Sequence, residues 1–250
     1  MQLVLPPGAN NSTGPAHRLI LASASPRRQE LLSALGAHFE VLATSVEEEP
    51  NVDPVPSPLL DLLPRAALPL LQHPTLLAWR KATAAAIHAP DAVVIGADTI
   101  VVLDGMVLNK PLDAAHAQTM LSQLAGRTHT VYTGLCVLLP VTDSATDPPL
   151  LALVAAEVTF APVHAEAIAA YVATGEPLDK AGAYGVQGMG GRLVQSIHGS
   201  YTAVVGFPLV TVHTLLGQAG ITGLADPKET YHRWLRAQGK EPLPWPPTLP

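Results

Sequence analysis

The chain has 250 residues, of which 48% are apolar and 14% are charged. This length and composition allow one large core or two closely packed lobes, and they exclude a wholly disordered chain. The formal net charge of −6 excludes the basic excess expected of a protein that binds nucleic acid or an anionic membrane. Any anionic ligand must therefore be bound by a local group of cationic side chains.

The first segment, residues 1–17, is rich in Pro, Gly, Asn and Ser and has no hydrophobic periodicity, which predicts a disordered leader. It contains no Lys or Arg and no apolar stretch long enough for a signal peptide or a membrane span. We therefore expect a cytoplasmic protein. The single cysteine, Cys136, lies in an apolar run, and we expect it in the core.

The folded region is expected to begin with a short strand over residues 19–21. Ser23 follows this strand, and Pro26 is typical of the first position of a helix. A strand, a turn and a helix start would bring backbone N–H groups and the positive helix end together beside Arg27 and Arg28. The pattern predicts an anion site; a pair of solvent-facing arginines is the alternative.

The next stretch is less regular. A second strand is predicted over 39–43, and the acidic run at 47–49 follows it. Seven prolines between 50 and 74 resist a long helix and predict an irregular surface excursion. The Ala- and Leu-rich segment 75–88 is then expected to be a helix, with Lys81 inside it.

An aspartate, Asp98, interrupts an apolar run rich in β-branched residues. Interior strand positions rarely carry an unpaired acid, so Asp98 should be hydrogen-bonded, metal-bound or at a cleft edge. A satisfied buried aspartate is the alternative. A strand over 100–103, a turn at 104–105 and a strand over 106–109 predict a hairpin that returns Lys110 to the neighbourhood of Asp98. An acid and a cation at neighbouring strand ends suit the binding of a metal-bound polyphosphate better than a position in the hydrophobic core.

Beyond the hairpin, the patterns predict a series of regular elements: a helix over 113–124, strands over 128–139 and 150–160, a helix over 166–174, strands over 192–197 and 202–205, and a last helix over 208–216. The many glycines of segment 175–191 predict that its backbone closely approaches a ligand or another part of the protein. Asp179, Lys180 and Gln187 within it favour a ligand-facing loop over a purely structural one.

Common catalytic templates are missing. The histidines are scattered and there is no second cysteine, which argues against zinc, and G-x-S-x-G, Walker A and G-x-G-x-x-G patterns are absent. What remains is a set of cations and carboxylates in separate stretches: Arg27, Arg28, Lys81, Lys110, Lys180, Glu48, Asp98 and Asp179. If these residues converge on one cleft, the cations could offset the negative charge of a triphosphate and the carboxylates could hold a hard divalent ion. Mg²⁺ or Mn²⁺ fits such a site best.

Four motifs carry a family resemblance: LASASPRRQELL, VIGADTIVVLDG followed by NKP, TGEPLDKAGAYGVQG and GSYTAVVGFPL. In this order and approximate spacing they resemble the Maf family of nucleoside triphosphate pyrophosphatases, over about residues 18–217. The excursion at 50–74 and the extension and Pro-rich tail at 218–250 lie outside the resemblance. The resemblance implies an α/β, Maf/ITPase-like fold in which a twisted mixed sheet flanked by helices forms two lobes around a central cleft. A homodimer and a divalent cation, Mg²⁺, Mn²⁺ or Co²⁺, are also implied.

The implied reaction converts a nucleoside triphosphate and water to the monophosphate and pyrophosphate. Asp98 matches the proton acceptor and a metal position, and Glu48 matches a metal position that could also fall on either neighbouring glutamate. Positions expected to contact substrate are Ser23, Arg28, Lys81, Lys110, Asp179 and Lys180. Lys81 is aligned by the short Lys81–Ala82 match alone, because the chain before it is longer and richer in proline than is usual in the family.

Three residues, Arg27, Thr99 and Gln187, match the specificity positions of the branch that acts on dTTP and UTP. The sister branch acting on 7-methyl-GTP has an aromatic residue, a glutamine and a glutamate there. We therefore expect a pyrimidine nucleotide, normal or modified, as substrate. A phosphatase that releases orthophosphate and a non-enzymatic nucleotide-binding regulator of septum formation are the alternatives.

Overall fold

The structure is a computed structural model that describes residues 2–4, 18–44, 55–141 and 147–240. The strands in these ranges are β1 Gln2–Val4, β2 Leu19–Leu21, β3 Glu40–Val41, β4 Val93–Leu103, β5 Met106–Leu108, β6 Thr128–Leu138, β7 Leu150–Phe160 and β8 Val194–Gly199. The α-helices are α1 Pro26–Ala34, α2 Ser57–Leu62, α3 Pro74–Ala86, α4 Ala114–Leu124, α5 Ala165–Val172, α6 Tyr201–Val205, α7 Leu209–Gln218 and α8 Pro227–Ala237. Four short 3-10 helices cover Leu70–Gln72, Glu176–Asp179, Ala181–Ala183 and Met189–Leu193.

The strands form a mixed sheet in the order β1-β7-β6-β4-β2-β3, with β5 paired to β4 and β8 paired to β7. Strand β2 is parallel to both β3 and β4, whereas β4–β5 and β7–β8 are antiparallel. Parallel neighbours need a crossover connection, and α1 supplies the one between β2 and β3. The predicted α/β class with a mixed sheet flanked by helices is confirmed.

The chain divides into two compact units. The first contains described residues between Met1 and Asp98, together with Gly134–Val154 and much of Leu209–Pro242. The described part of the second is Thr99–Thr133 and Ala155–Pro208. Both units are discontinuous in sequence, so no single linker separates them.

Helix α3 lies unusually close to the sheet of the first unit. A Cβ atom on Gly96 of β4 would lie 2.2 Å from the carbonyl oxygen of Ala78, and one on Gly134 of β6 would lie 2.2 Å from the backbone nitrogen of Thr75. Thr75 Oγ1 also donates a hydrogen bond to the carbonyl oxygen of Ala152 on β7, at 3.2 Å. The two glycines therefore allow the helix backbone to rest directly on the strands.

The central hairpin is confirmed. Asp104 and Gly105 have φ values of 50° and 80°, the left-handed conformation that a two-residue turn of this class requires at both central positions. Helix α4 also begins where expected, because Asp113 Oδ1 accepts a hydrogen bond from the backbone nitrogen of His116 at 2.7 Å. Cys136 is buried in the core as expected.

The strand predicted over 202–205 is wrong, because this segment forms α6. Its β-branched composition favours a strand, but Ser200 caps the helix by accepting a hydrogen bond from the Ala203 nitrogen at 3.2 Å. Gly206, with φ 107°, ends it in the left-handed conformation. Local capping therefore outweighs intrinsic strand propensity here.

The predicted surface excursion at 50–74 is also partly wrong. Its described part, from residue 55, contains α2 and a 3-10 helix, and Leu59 of α2 is buried among residues of α3 and the sheet. Pro58 lies within the first two positions of α2, where proline is compatible with a helix. Residues 45–54, which include Glu48, lie outside the described residues.

Two elements lie where the sequence predicted none. Within the supposed leader, Gln2–Val4 pairs antiparallel with β7, although residues 5–17 lie outside the described part. In the C-terminal extension, α8 begins at Asp226, whose Oδ1 accepts hydrogen bonds from two backbone nitrogens. Helix α8 packs on α1 and α7. Residues 241–250, the supposed tail, are outside the described range.

A buried aromatic cluster stabilises the second unit. His129 lies edge-on to both Phe160 and Tyr184, with ring centroids 5.2 and 5.4 Å away. Its Nε2 is 2.8 Å from the Tyr184 hydroxyl. Burial lowers the pKa of His129 to about 4, so the imidazole is neutral in the folded protein at neutral pH.

Within the described ranges, no helix is long and apolar enough to cross a bilayer.

Close packing of α3 predicts that Gly96→Ala and Gly134→Ala each lower the free energy of unfolding by at least about 2 kcal/mol, since an added methyl group meets backbone atoms that cannot rotate away. Gly217→Ala is the matched control, because it lies in α7 with no atom within 4 Å of the added carbon. We expect this control to change stability by less than about 1 kcal/mol, and upward. Urea unfolding measures all three; equal effects at the three positions would contradict the close contact.

Protonation of His129 should destabilise the fold in acid. Its folded pKa of about 4 lies below the ordinary 6.5, so stability is full above pH 6.5 and falls as the pH drops towards 4. The loss from this residue between pH 6.5 and 5 should be about 2 kcal/mol. His73, whose pKa is also lowered by burial, contributes in the same sense. His129→Phe should flatten the pH dependence of urea unfolding, and an unchanged slope would show that His129 does not titrate in this window.

Candidate active site

The first pair of site residues is Asp98 and Lys81. Asp98 lies on β4 two residues after Gly96, so the two share a face of the strand. Lys81 lies on α3, one turn after Ala78, whose carbonyl oxygen faces Gly96. Lys81 Nζ is 2.6 Å from Asp98 Oδ1, and the two side chains are only 5% and 12% exposed. The close approach of α3 therefore places an ammonium group against the predicted proton acceptor.

This buried ion pair has a chemical consequence. The ammonium group offsets the carboxylate charge, which would otherwise be costly to bury. Lys81 contacts Oδ1, which leaves Oδ2 as the oxygen that can receive a proton or face a cation. The arrangement is suited to a general base that is held in one orientation.

A second group lies between β2 and α1. Arg28 Nη1 donates a hydrogen bond to Ser23 Oγ at 3.0 Å, and both side chains are buried. The Ser25 nitrogen also donates to Ser23 Oγ, at 3.3 Å. Arg28 is therefore turned back onto the loop, which rules out the solvent-facing alternative for this residue; Arg27 is partly buried.

The loop that carries Ser23 is tied to the strand that carries Asp98. The Ala22 nitrogen donates to the carbonyl oxygen of Ile95 at 2.8 Å. Pro26 occupies the first turn of α1 as expected, but the Ser25 side chain makes no capping hydrogen bond. The start of α1 thus combines a helix N-terminus with a buried arginine, and this combination favours an anionic ligand.

In the second unit, Thr99 is held by a hydroxyl chain that the sequence did not reveal. Thr133 Oγ1 donates to the carbonyl oxygen of Ala203 at 2.8 Å. Because a hydroxyl has a single hydrogen, Thr133 must accept in its 2.9 Å contact with Thr99 Oγ1. Thr99 is therefore the donor, and its hydroxyl is oriented by β6 and α6.

Lys110 follows the hairpin two residues after β5 and is exposed. The register pairs Val101 with Leu108, the last residue of β5, so the chain leaves the hairpin on the side of β4 that carries Thr99. The carbonyl oxygen of Asn109 accepts a hydrogen bond from the Gly182 nitrogen at 3.2 Å. The hairpin therefore joins Lys110 to the glycine-rich segment.

The glycine-rich segment carries the remaining predicted residues. Lys180 Nζ contacts Asp179 Oδ1 and the carbonyl oxygen of Glu176, each at 2.6 Å. Lys180 is 15% exposed, whereas Asp179 is 75% exposed, and Gln187 is partly buried. The glycines approach other parts of the same unit, above all the side chain of Glu176, which the sequence did not single out.

The described residues supply few protein ligands for the implied divalent cation. Among them, no group of three or more His, Cys, Asp or Glu side chains could hold a metal ion. A cation that takes most of its ligands from substrate phosphates and water needs only one or two carboxylates, however. Asp98 fits this role through Oδ2, and Glu48 lies outside the described residues.

The structure thus brings the predicted residues together in small sets. In the first unit, Ser23 contacts Arg28, and Lys81 contacts Asp98. In the second unit, Lys180 contacts Asp179, and Thr99 contacts a residue that was not predicted.

Comparison with known proteins assigns the family. The family model described as Maf-like protein matches residues 18–219. A dTTP/UTP pyrophosphatase of Salmonella typhimurium is 49% identical over 199 residues, which cover 79% of this chain and 91% of that protein. A protein of the same name from Moorella thermoacetica is 46% identical over 204 residues, covering 82% and 96%. The chain belongs to the Maf family.

Proposed function

We propose that this chain hydrolyses dTTP and UTP to the nucleoside monophosphate and pyrophosphate. Relatives named dTTP/UTP pyrophosphatase are 46–49% identical to it over about four-fifths of its length. The structural observation that carries the proposal is the buried ion pair between Asp98 and Lys81. Asp98 lies immediately before Thr99 in the chain. A fixed carboxylate of this kind provides the base that hydrolysis of an anhydride needs.

In the proposed reaction, Asp98 orients a water molecule and takes its proton as the oxygen attacks the α-phosphorus in line. The bond between the α-phosphorus and the bridging oxygen breaks, and pyrophosphate leaves with the bond electrons. Lys81, which donates a hydrogen bond to Oδ1, holds the carboxylate in place.

The cationic residues stabilise the charge on the phosphates. Arg28, supported by Ser23 at the start of α1, and the lysines Lys110 and Lys180 are the proposed contacts to the triphosphate and to the leaving pyrophosphate. Asp179 contacts Lys180 and limits the directions that its ammonium group can take. Charge neutralisation and positioning account for most of the rate enhancement in phosphoryl transfer.

A divalent cation, Mg²⁺, Mn²⁺ or Co²⁺, belongs to this proposal, with Asp98 and Glu48 as its protein ligands. When bound, it would neutralise negative charge on the substrate phosphates. The hard oxygen donors of the two carboxylates suit all three ions.

Base choice is assigned to Arg27, Thr99 and Gln187. Thymine and uracil present an N3–H donor flanked by carbonyl acceptors, and a glutamine amide can match both kinds of group. The oriented hydroxyl of Thr99 adds a fixed polar group beside Asp98 in the chain.

The proposal includes a cytoplasmic location and a homodimer, which the family resemblance supports.

Asp98→Asn and Asp98→Ala should each lower kcat by about two to four orders of magnitude while the protein remains folded, because the proton acceptor is lost. Asp91→Asn is the control, since Asp91 is an exposed acid just before β4. Steady-state kinetics with circular dichroism checks both points. Folded Asp98 variants with wild-type rates would remove Asp98 from the reaction.

A nucleotide panel with product analysis tests the reaction itself. We expect dTTP and UTP to give pyrophosphate, with kcat/KM at least about tenfold above CTP and 7-methyl-GTP, since unmatched hydrogen-bond groups disfavour the wrong base. Orthophosphate as the product would indicate a phosphatase, and binding without turnover would indicate a nucleotide-binding regulator. Preference for 7-methyl-GTP would overturn the base assignment alone.

A further inference from the structure

The glycine-rich segment of the second unit is closed around one carboxylate, that of Glu176. Oε1 accepts hydrogen bonds from the Tyr171 hydroxyl at 2.9 Å and from the Gly190 nitrogen at 3.2 Å. Oε2 accepts a hydrogen bond from the Met189 nitrogen at 2.9 Å. A single side chain therefore joins α5 to the far end of the segment, thirteen to fourteen residues later in the chain.

The glycines of the segment leave room for this carboxylate and for the Tyr171 hydroxyl. A Cβ atom on Gly188 would lie 2.5 Å from Glu176 Oε2, and one on Gly190 would lie 2.5 Å from the Tyr171 hydroxyl. The same hydroxyl accepts a hydrogen bond from the Gly185 nitrogen at 3.1 Å. The backbone approach that the glycines permit is thus an approach to Glu176 and Tyr171.

Lys180 and Gln187 both lie next to this arrangement. Lys180 Nζ donates to the carbonyl oxygen of Glu176 at 2.6 Å, and its stem fills the space beside Gly185, with Cε 2.8 Å from the position of a Cβ there. Gln187 lies between Gly185 and Met189, whose backbone nitrogens are both held by the hydrogen-bond cluster of Glu176 and Tyr171. The cluster therefore fixes the backbone on both sides of Gln187.

We propose that Glu176 is a positioning residue for nucleotide binding: its carboxylate, through Tyr171 and the backbone of the glycine-rich segment, sets the places of Lys180 and Gln187. This inference rests on the proposed function, in which those two residues contact the phosphates and the base. Both carboxylate oxygens of Glu176 accept hydrogen bonds from groups of the protein. Its replacement should therefore weaken binding and leave the chemistry at Asp98 largely intact.

Glu176→Gln is the first test, because it keeps the shape but sets an amide NH₂ group against backbone N–H donors. We expect KM for dTTP to rise about tenfold, while kcat stays within about threefold of wild type. Glu166→Gln is the control, since Glu166 is an exposed glutamate in the first turn of α5. A fall in kcat with unchanged KM, or a KM equal to wild type, would overturn the proposal.

Chemical rescue separates positioning from general structural support. Glu176→Ala removes the carboxylate and leaves the Met189 and Gly190 nitrogens and the Tyr171 hydroxyl facing the vacated volume. Formate or acetate at high concentration should restore at least about threefold of the lost kcat/KM for dTTP, whereas chloride at equal ionic strength should not. Equal effects of the three salts would contradict a specific carboxylate role.

Failure of the proposed function would be recognised separately. If the wild type hydrolyses no nucleoside triphosphate, that function falls, and calorimetric titration with dTTP replaces KM as the measure of binding. Amide hydrogen exchange over residues 185–190 gives a readout independent of activity. Faster exchange in Glu176→Gln together with weaker dTTP binding supports the positioning role, whereas unchanged exchange or unchanged binding overturns it.

Discussion

The ion pair between Lys81 and Asp98 is the contact on which the proposed chemistry depends. It exists because α3 rests on β4 at Gly96 and on β6 at Gly134, where even a methyl group would meet backbone atoms. Losing one partner of such a buried pair costs about 3–5 kcal/mol, since the remaining charge is left uncompensated. Packing and the proposed catalysis are therefore linked at this point: the glycines that allow the helix to approach also set the position of the proposed base.

The second unit follows the same physical rule with different groups. Its proposed ligand contacts are held by internal polar partners: Thr99 by the hydroxyl of Thr133, and Lys180 by Asp179 and the backbone of Glu176. Such contacts reduce the side-chain freedom that binding would otherwise have to remove. Preorganisation by polar partners within the protein is thus common to both units.

Much of this architecture could be predicted from local pattern. The hairpin at Asp104 and Gly105, the Asp113 cap and the acid at Asp98 carry their own signals, because turn geometry, capping and burial cost act over a few residues. Helix α6 was missed because a short β-branched segment favours a strand until its caps are considered. Helix α8 was missed although Asp226, followed by proline, is a recognisable helix start. Thr133 and Glu176 act through partners distant in sequence, which no local pattern reveals.

The most direct test of the account is a double-mutant cycle on the buried pair, measured as kcat for dTTP on the folded fraction of each variant. If Lys81 acts by holding Asp98 as a carboxylate in place, the Lys81→Met and Asp98→Asn losses are not independent. The double variant is then expected to be no slower than Asp98→Asn alone. A double variant in which the two losses multiply would show that Lys81 and Asp98 act separately, and would contradict the central role of their pairing.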